Sequence, residues 1–183
     1  MDRGYIYLNK KSFLHNLEVL KNLSRKELCL VVKANAYGHG LEWAVKNAKE
    51  SGIKWFAVAS VDEGIQVKKV YEESRVLLLA EPSKIQLENI KENDIDLTVY
   101  NESFIDTLIE TGDEYSVHLK IDTGMHRLGC PPEKFYDLYK KIVDSDLNLI
   151  GICTHFPMAD TDETETKKSI ELFEKTISDI DST

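Results

Sequence analysis

Three short stretches of this chain carry residue types that could do chemistry. The first is Val31-Val32-Lys33-Ala34-Asn35-Ala36-Tyr37-Gly38-His39-Gly40, in which a lysine ends an apolar run and two glycines follow. Lysine is rarely buried without a task. In a dry pocket its amine can lose its proton and form a Schiff base with a carbonyl compound. At a strand end that opens to water, it can equally lay its stem on apolar surface and keep its charge outside. The amides of Gly38 and Gly40, with the helix that follows, suit a phosphate.

The second stretch is Lys120-Ile121-Asp122-Thr123-Gly124-Met125-His126-Arg127-Leu128-Gly129. A guanidinium such as Arg127 can grip a carboxylate with two parallel hydrogen bonds. Gly124 and Gly129 allow sharp turns or close backbone approach. The same residues also read as a strand-to-helix turn with a surface arginine. The third stretch is Cys153-Thr154-His155-Phe156-Pro157-Met158-Ala159-Asp160. His155 suits a base, a ligand or a stacking surface, and it reads as well as a structural histidine. His39 has no partner at metal-ligand spacing, so no metal is expected. His15, His118 and His126 are given no role.

The elements that must position these residues follow one rhythm. Strand-like runs are Leu28–Lys33, Trp55–Ser60, Arg75–Ala80, Ile95–Tyr100, Tyr115–Ile121 and Leu147–Cys153. Each is followed by an amphipathic or capped segment that reads as a helix, the last running from Glu163 to Ile180. A helix over Ser12–Leu23 precedes them, and Tyr5–Leu8 reads as a further short strand. Apolar strands separated by helices predict six βα units and a parallel sheet. A doubly wound open sheet and a (β/α)8 barrel both satisfy this pattern. Lys33, Arg127 and His155 each come just after the C-terminal end of a strand. In a barrel those loops make one functional face, and in an open sheet they converge only at a switch point. A lysine, an arginine and a histidine on one rim would suit an amino-acid-binding cofactor site.

Composition narrows the class. The chain has 183 residues and a net charge of -9, the opposite of a nucleic-acid footprint. Cys29, Cys130 and Cys153 have neither metal spacing nor an even count, so buried thiols in a reducing compartment are expected. No apolar run approaches the roughly 18 residues of a membrane span. Met1-Asp2-Arg3-Gly4 leads straight into the first strand-like segment, so no signal peptide is expected and the cytoplasm is the default.

At the three chemical stretches the sequence also resembles the bacterial alanine racemases. The match from Val32 to Gly40 resembles that family's cofactor-lysine signature. Lys120 to Gly129 resembles a second signature, and Thr154-His155-Phe156 with Ala159-Asp160 a third. Order and spacing agree from about Tyr5 to the end of the chain. The resemblance implies a barrel that binds pyridoxal 5'-phosphate and interconverts L-alanine and D-alanine, supplying D-alanine for peptidoglycan. It implies that Lys33 carries the cofactor as a Schiff base and then serves as one of two catalytic bases. It places Tyr37 on the phosphate, Arg127 on the cofactor's phenolic oxygen and the substrate carboxylate region, and His155 against the cofactor ring. It further implies that Lys120 is carbamylated and orients Arg127, and that Met125 lies near the substrate at a homodimer interface. The second base, in this family, is a tyrosine from the C-terminal domain of the partner subunit.

That tyrosine has no counterpart here. Six βα units are present where a barrel has eight, and Phe173–Thr183 reads as a helix cut short. The expectation is therefore a truncated chain in two parts: residues 1–9, a strand belonging to a missing C-terminal β domain, and residues 10–183, an incomplete cofactor-binding barrel. Such a fragment is expected to be inactive alone. A serine racemase of the same family is the nearest rival reading. A non-catalytic pyridoxal-phosphate-binding barrel is another, although it would not need the Arg127 and His155 stretches.

Overall fold

The computed structural model describes residues 4–178 and 180. The elements are α1 (Lys10–Ser24), β1 (Cys29–Val31), α2 (Leu41–Glu50), β2 (Trp55–Val58), α3 (Val61–Val70) and β3 (Arg75–Leu78). A 3-10 turn at Lys84–Gln86 runs into α4 (Leu87–Glu92), and then come β4 (Ile95–Val99) and α5 (Glu102–Thr111). The series ends with β5 (Ser116–Lys120), α6 (Pro132–Val143), β6 (Asn148–Cys153) and α7 (Glu163–Ile177). Every strand from β1 to β6 is followed by a helix, so the six βα units are all formed. Strand order follows chain order, β1-β2-β3 in a first compact unit (Met1–Asp96) and β4-β5-β6 in a second (Leu97–Thr183), which takes all but the first two residues of β4.

In the first unit the strands are short and parallel, pairing Leu30 with Phe56 and Ala57 with Leu77. Apart from Arg75 at the start of β3, their side chains are apolar on both faces, as a sheet covered by helices requires. Phe56, Val58, Val76 and Leu78 are fully buried, with Val45, Val67 and Ile90 from the helices. Helix α1 starts at a cap, because the Asn9 side chain accepts the Ser12 amide and satisfies one of the orphan donors of a helix start. Its Phe13 ring lies 5.1 Å from that of Trp43 on α2, and Lys10 pairs with Glu50 at 2.6 Å. Helix α3 sits close to the strands because residue 64 is glycine. A Cβ there would come within 2.8 Å of the Ile95 side chain.

The expected strand at Tyr5–Leu8 is not formed. Residues 4–9 have no regular structure, and Tyr5, Ile6 and Tyr7 are exposed. Its residue types are those of a strand, but a strand exists only when its backbone groups have a neighbouring strand to bond. The last helix also ends earlier than expected, at Ile177 rather than Ile180. Met1–Arg3 at one end, and residues 179 and 181–183 within the expected Phe173–Thr183 helix end, lie outside the described residues.

In the second unit α6 begins with Pro132 in its first turn, where a missing N–H costs nothing. It buries Phe135, Leu138 and Ile142, each worth roughly 1.5–3 kcal/mol on burial. Strands β5 and β6 pair in parallel with a shift of register between Val117 and His118, where His118 faces Gly151. That glycine is required, since a Cβ would land on the His118 ring.

Candidate functional site

Lys33 leaves β1 at its C-terminal end. The Val32 amide still donates to the Ala57 carbonyl of β2 at 2.8 Å, so the ladder reaches the residue before the lysine. The chain then reverses its hand. Ala34, Asn35 and Ala36 have φ of 51°, 54° and 52° with ψ of 49°, 47° and 49°, and Tyr37 has φ of 53°. These are left-handed helical angles in four successive residues that carry a Cβ. Each costs about 1–2 kcal/mol relative to the right-handed form. Gly38 and Gly40, with φ of 83° and 91°, turn the chain out again.

Hydrogen bonds inside the turn offset the strain. The Ala36 amide donates to Val32 at 2.7 Å, and His39 Nδ1 donates to the Ala36 carbonyl at 2.9 Å. The Gly38 amide donates to Ala34 at 3.0 Å, and the Gly40 amide to Asn35 at 2.9 Å. Both glycine amides expected to hold a phosphate are thus spent within the turn. The Asn35 side chain accepts the Leu41 amide at 2.7 Å and so caps α2 from six residues upstream. Lys33 is half-buried and not enclosed in a dry pocket. Its Nζ lies 6.0 Å from the centre of the Tyr37 ring, and Tyr37 is exposed. The structure therefore brings these two predicted residues together on one turn.

The second unit holds the other predicted residues. After β5 the chain makes a closed loop, with a parallel bridge between Ile121 and Cys130. The Cys130 amide donates to the Lys120 carbonyl at 2.8 Å, and the Asp122 amide to the Cys130 carbonyl at 2.9 Å. Gly129 sits at φ of 130° against this bridge. The Asp122 carboxylate accepts the Gly124 and His126 amides at 3.0 Å each. Burial works to raise its pKa, but those amides, the His126 charge and the Met125 amide win and hold it below the usual carboxylate value.

Arg127 stands exposed on this loop, and Met125 is half-buried. Lys120, at the end of β5, is half-buried, and burial pushes its pKa down with the charge of Arg127 acting the same way. Opposite Lys120 on β6 is Cys153. Burial raises its thiol pKa, and that of Cys130 reaches about 11. None of the three cysteines is in a disulfide.

His155 is exposed just beyond β6. The residue before it, Thr154, ties this strand end to the loop: its hydroxyl is 2.7 Å from that of Thr123 and donates to the Ile121 carbonyl at 2.9 Å. From α7 the buried Ser169 donates to the Thr123 carbonyl at 2.9 Å. Sequence reading gave Asp122, Thr123, Thr154 and Ser169 no role. Only Asp122 had a local signal, an Asp placed two residues before a glycine, which favours a side-chain-capped turn. No group of three or more metal-ligating side chains is assembled among the described residues.

Asp122 gives the loop a pH dependence. A carboxyl whose folded pKa lies below its unfolded value stabilises fully above the latter, about 3.9. That stabilisation is lost as pH falls through the folded value. Amide exchange at Gly124 and His126 is expected to speed up in acid below that range, once intrinsic rates are corrected for. In Asp122→Asn the acid step should be missing, and a wild-type loop indifferent to acid would refute the assignment.

Comparison with known proteins gives these features a setting. The family described as "Alanine racemase, N-terminal domain" matches residues 8–183. An alanine racemase of Treponema denticola is 36% identical over 173 residues, covering 89% of this chain and 46% of that one. One from Listeria monocytogenes is 37% identical over 155 residues, covering 80% and 42%. The solved structure of an alanine racemase from Clostridium difficile 630 superposes with a TM-score of 0.85 at 29% identity, over 94% of this chain and 50% of that one. The chain thus spans about half the length of the relatives it matches. The fold class read from the sequence, six βα units of a (β/α)8-type barrel, agrees with that likeness. With sequence and fold matching over nearly every residue, the chain belongs to the alanine racemase N-terminal domain family.

Proposed function

We propose that this chain contributes the cofactor-lysine half of a pyridoxal-phosphate-dependent alanine racemase, an isomerase that interconverts L-alanine and D-alanine for peptidoglycan synthesis. The observation that carries the reading is a primary amine, Lys33, at the end of a parallel strand, presented by a strained left-handed turn that also carries Tyr37. Strain of this kind clusters at functional sites. The residues fit the group: an accessible amine for its aldehyde, a phenol on the same turn for its phosphate, and a guanidinium and an imidazole just past the strand ends of the second unit.

When bound, pyridoxal phosphate supplies an electron sink that makes the substrate Cα–H acidic. Lys33 Nζ would hold the group covalently, and the same amine would hold or return the substrate Cα proton on one face. Tyr37 would donate its hydroxyl to the phosphate. Arg127 would bind the substrate carboxylate region, and His155 would pack against the ring. Met125 lies near the substrate where a second copy of the protein docks, and that partner supplies a tyrosine as the second base. The depressed pKa of Lys120 leaves more neutral amine than an ordinary lysine has, which favours its carbamylation. A carbamylated Lys120 would carry negative charge beside Arg127 and orient it.

Among the described residues no helix is long and apolar enough to cross a membrane. Three cysteines outside any disulfide suit a reducing cytoplasm. Adding pyridoxal phosphate to the chain is expected to produce an absorbance band near the visible edge, and its absence overturns the reading. D-alanine formation from L-alanine by residues 1–183 alone is expected to fall far below ordinary turnover, roughly 1–1000 per second. Turnover in that range would refute the assignment of one base to a segment outside these residues.

A further inference from the structure

The turn after Lys33 is tied down from a different part of the sequence. Glu63 stands in the first turn of α3, three residues after the cap Ser60, whose hydroxyl accepts the Glu63 amide at 3.3 Å. In a capping box, the carboxylate at this position reaches back to the amide of the cap residue itself. Here it reaches one residue further. One oxygen, Oε2, accepts the Ala59 amide at 3.0 Å, and the other, Oε1, accepts the Asn35 amide at 3.4 Å. Ala59 lies just past β2, and β2 is the strand paired with β1. One side chain therefore spans the ends of two neighbouring strands.

Asn35 is the residue through which the turn joins its surroundings. Its carbonyl accepts the Gly38 amide at 3.1 Å and the Gly40 amide at 2.9 Å, and its side chain caps α2 at Leu41. Left-handed residues with a Cβ persist only where the surroundings over-determine them. The bonds of Asn35 to Gly38, Gly40 and Leu41 stay within the segment that has to be held. The bond to Glu63 comes from 28 residues away and fixes that segment to the sheet.

We propose that Glu63 is a positioning residue for Lys33: by holding the Asn35 amide it fixes the left-handed turn, and with it the direction in which the lysine leaves β1. The inference rests on Lys33 being the cofactor lysine. It is separable from that reading, because the turn can be observed without cofactor.

Hydrogen exchange of the unliganded chain reads the turn directly. Glu63→Gln keeps the shape and the helix position but turns one acceptor into a donor. Ser60→Ala removes a cap bond from the same helix without touching Asn35, and so reports simple loss of helix stability. Exchange across residues 34–41 is expected to quicken about tenfold in Glu63→Gln and to stay within about twofold of wild type in Ser60→Ala. The rate at which borohydride fixes pyridoxal phosphate on Lys33 should fall about tenfold in Glu63→Gln alone, at a melting temperature similar to that of Ser60→Ala. If Glu63→Gln does not fold, Glu63→Asp keeps the charge with a shorter reach, and it should show the same two changes at smaller size. Unchanged exchange in a folded Glu63 variant overturns the inference even when wild type takes the cofactor on Lys33. A wild-type chain that takes no cofactor on Lys33 overturns the proposed function and the positioning role together, whatever Glu63→Gln does to exchange.

Discussion

Lys33→Ala is expected to abolish covalent attachment of pyridoxal phosphate while leaving the fold intact. Both halves of that expectation follow from the turn. The backbone of residues 34–40 makes the bonds that hold it, and Asn35 supplies the cap of α2. The Lys33 side chain is half-buried and is not needed for either. Trimming it removes the only group there that can bond covalently to an aldehyde, and surface-type trimming costs within about 0.5 kcal/mol. Borohydride reduction followed by peptide mass analysis should find the cofactor on Lys33 in wild type and nowhere on the 31–40 segment in the variant. Lys33→Arg keeps a charge but cannot form the bond, and should behave like the alanine variant. Undiminished labelling of either variant would place the cofactor on another lysine and remove the basis of the proposed function.

Gly129→Ala is expected to be strongly disruptive to the loop that carries Arg127. Two effects add. The residue sits at φ of 130°, a region that residues with a Cβ rarely adopt, at a cost of about 1–3 kcal/mol. Its Cβ would also lie 2.6 Å from the Asp122 nitrogen and 2.8 Å from the Ile121 carbonyl carbon. Those atoms are backbone and belong to the bridge that closes the Arg127 loop, so they cannot swing aside as a side chain could. Overpacking of this kind adds about 1–3 kcal/mol. Gly124→Ala supplies the contrast: φ is 133°, but the nearest atom is the Ser169 hydroxyl at 3.5 Å, so strain is present without a clash. Urea denaturation should show Gly129→Ala losing roughly 2–6 kcal/mol, clearly more than Gly124→Ala. Equal losses would mean that the close approach at Gly129 does not constrain the loop.

Much of this was legible before the structure. The six βα units could be read because parallel strands buried on both faces spell continuous apolar runs, and the segments between them are amphipathic. Lys33, Arg127 and His155 stand out in the sequence by type and by their place after strand ends. The left-handed turn could not be read. Ala34, Asn35, Ala36 and Tyr37 are local helix or loop residues, and their hand is set by a carboxylate 28 positions on and by the start of α2. The glycine amides went wrong for the same reason: they looked available for a phosphate, and the turn consumes them. Tyr5–Leu8 failed differently, since strand-forming residue types show what a strand would look like but cannot supply the strand beside it. Ser169 and Thr154 were invisible because a serine inside an amphipathic helix, or a threonine at a strand end, is ordinary until a loop folds against it.

The hand of the turn has a stereochemical corollary. At residues 34–37 the backbone has the angles of the mirror-image helix, the form that a D-amino acid prefers. Ala34 is the simplest place to see it, because its methyl is exposed and packs against little. A chain built by chemical ligation with D-alanine at position 34 would lose the handedness penalty there, about 1–2 kcal/mol. The same replacement in α1 or α7 would incur it instead. Enantiomer exchange at one methyl thus separates this turn from every right-handed helix around it.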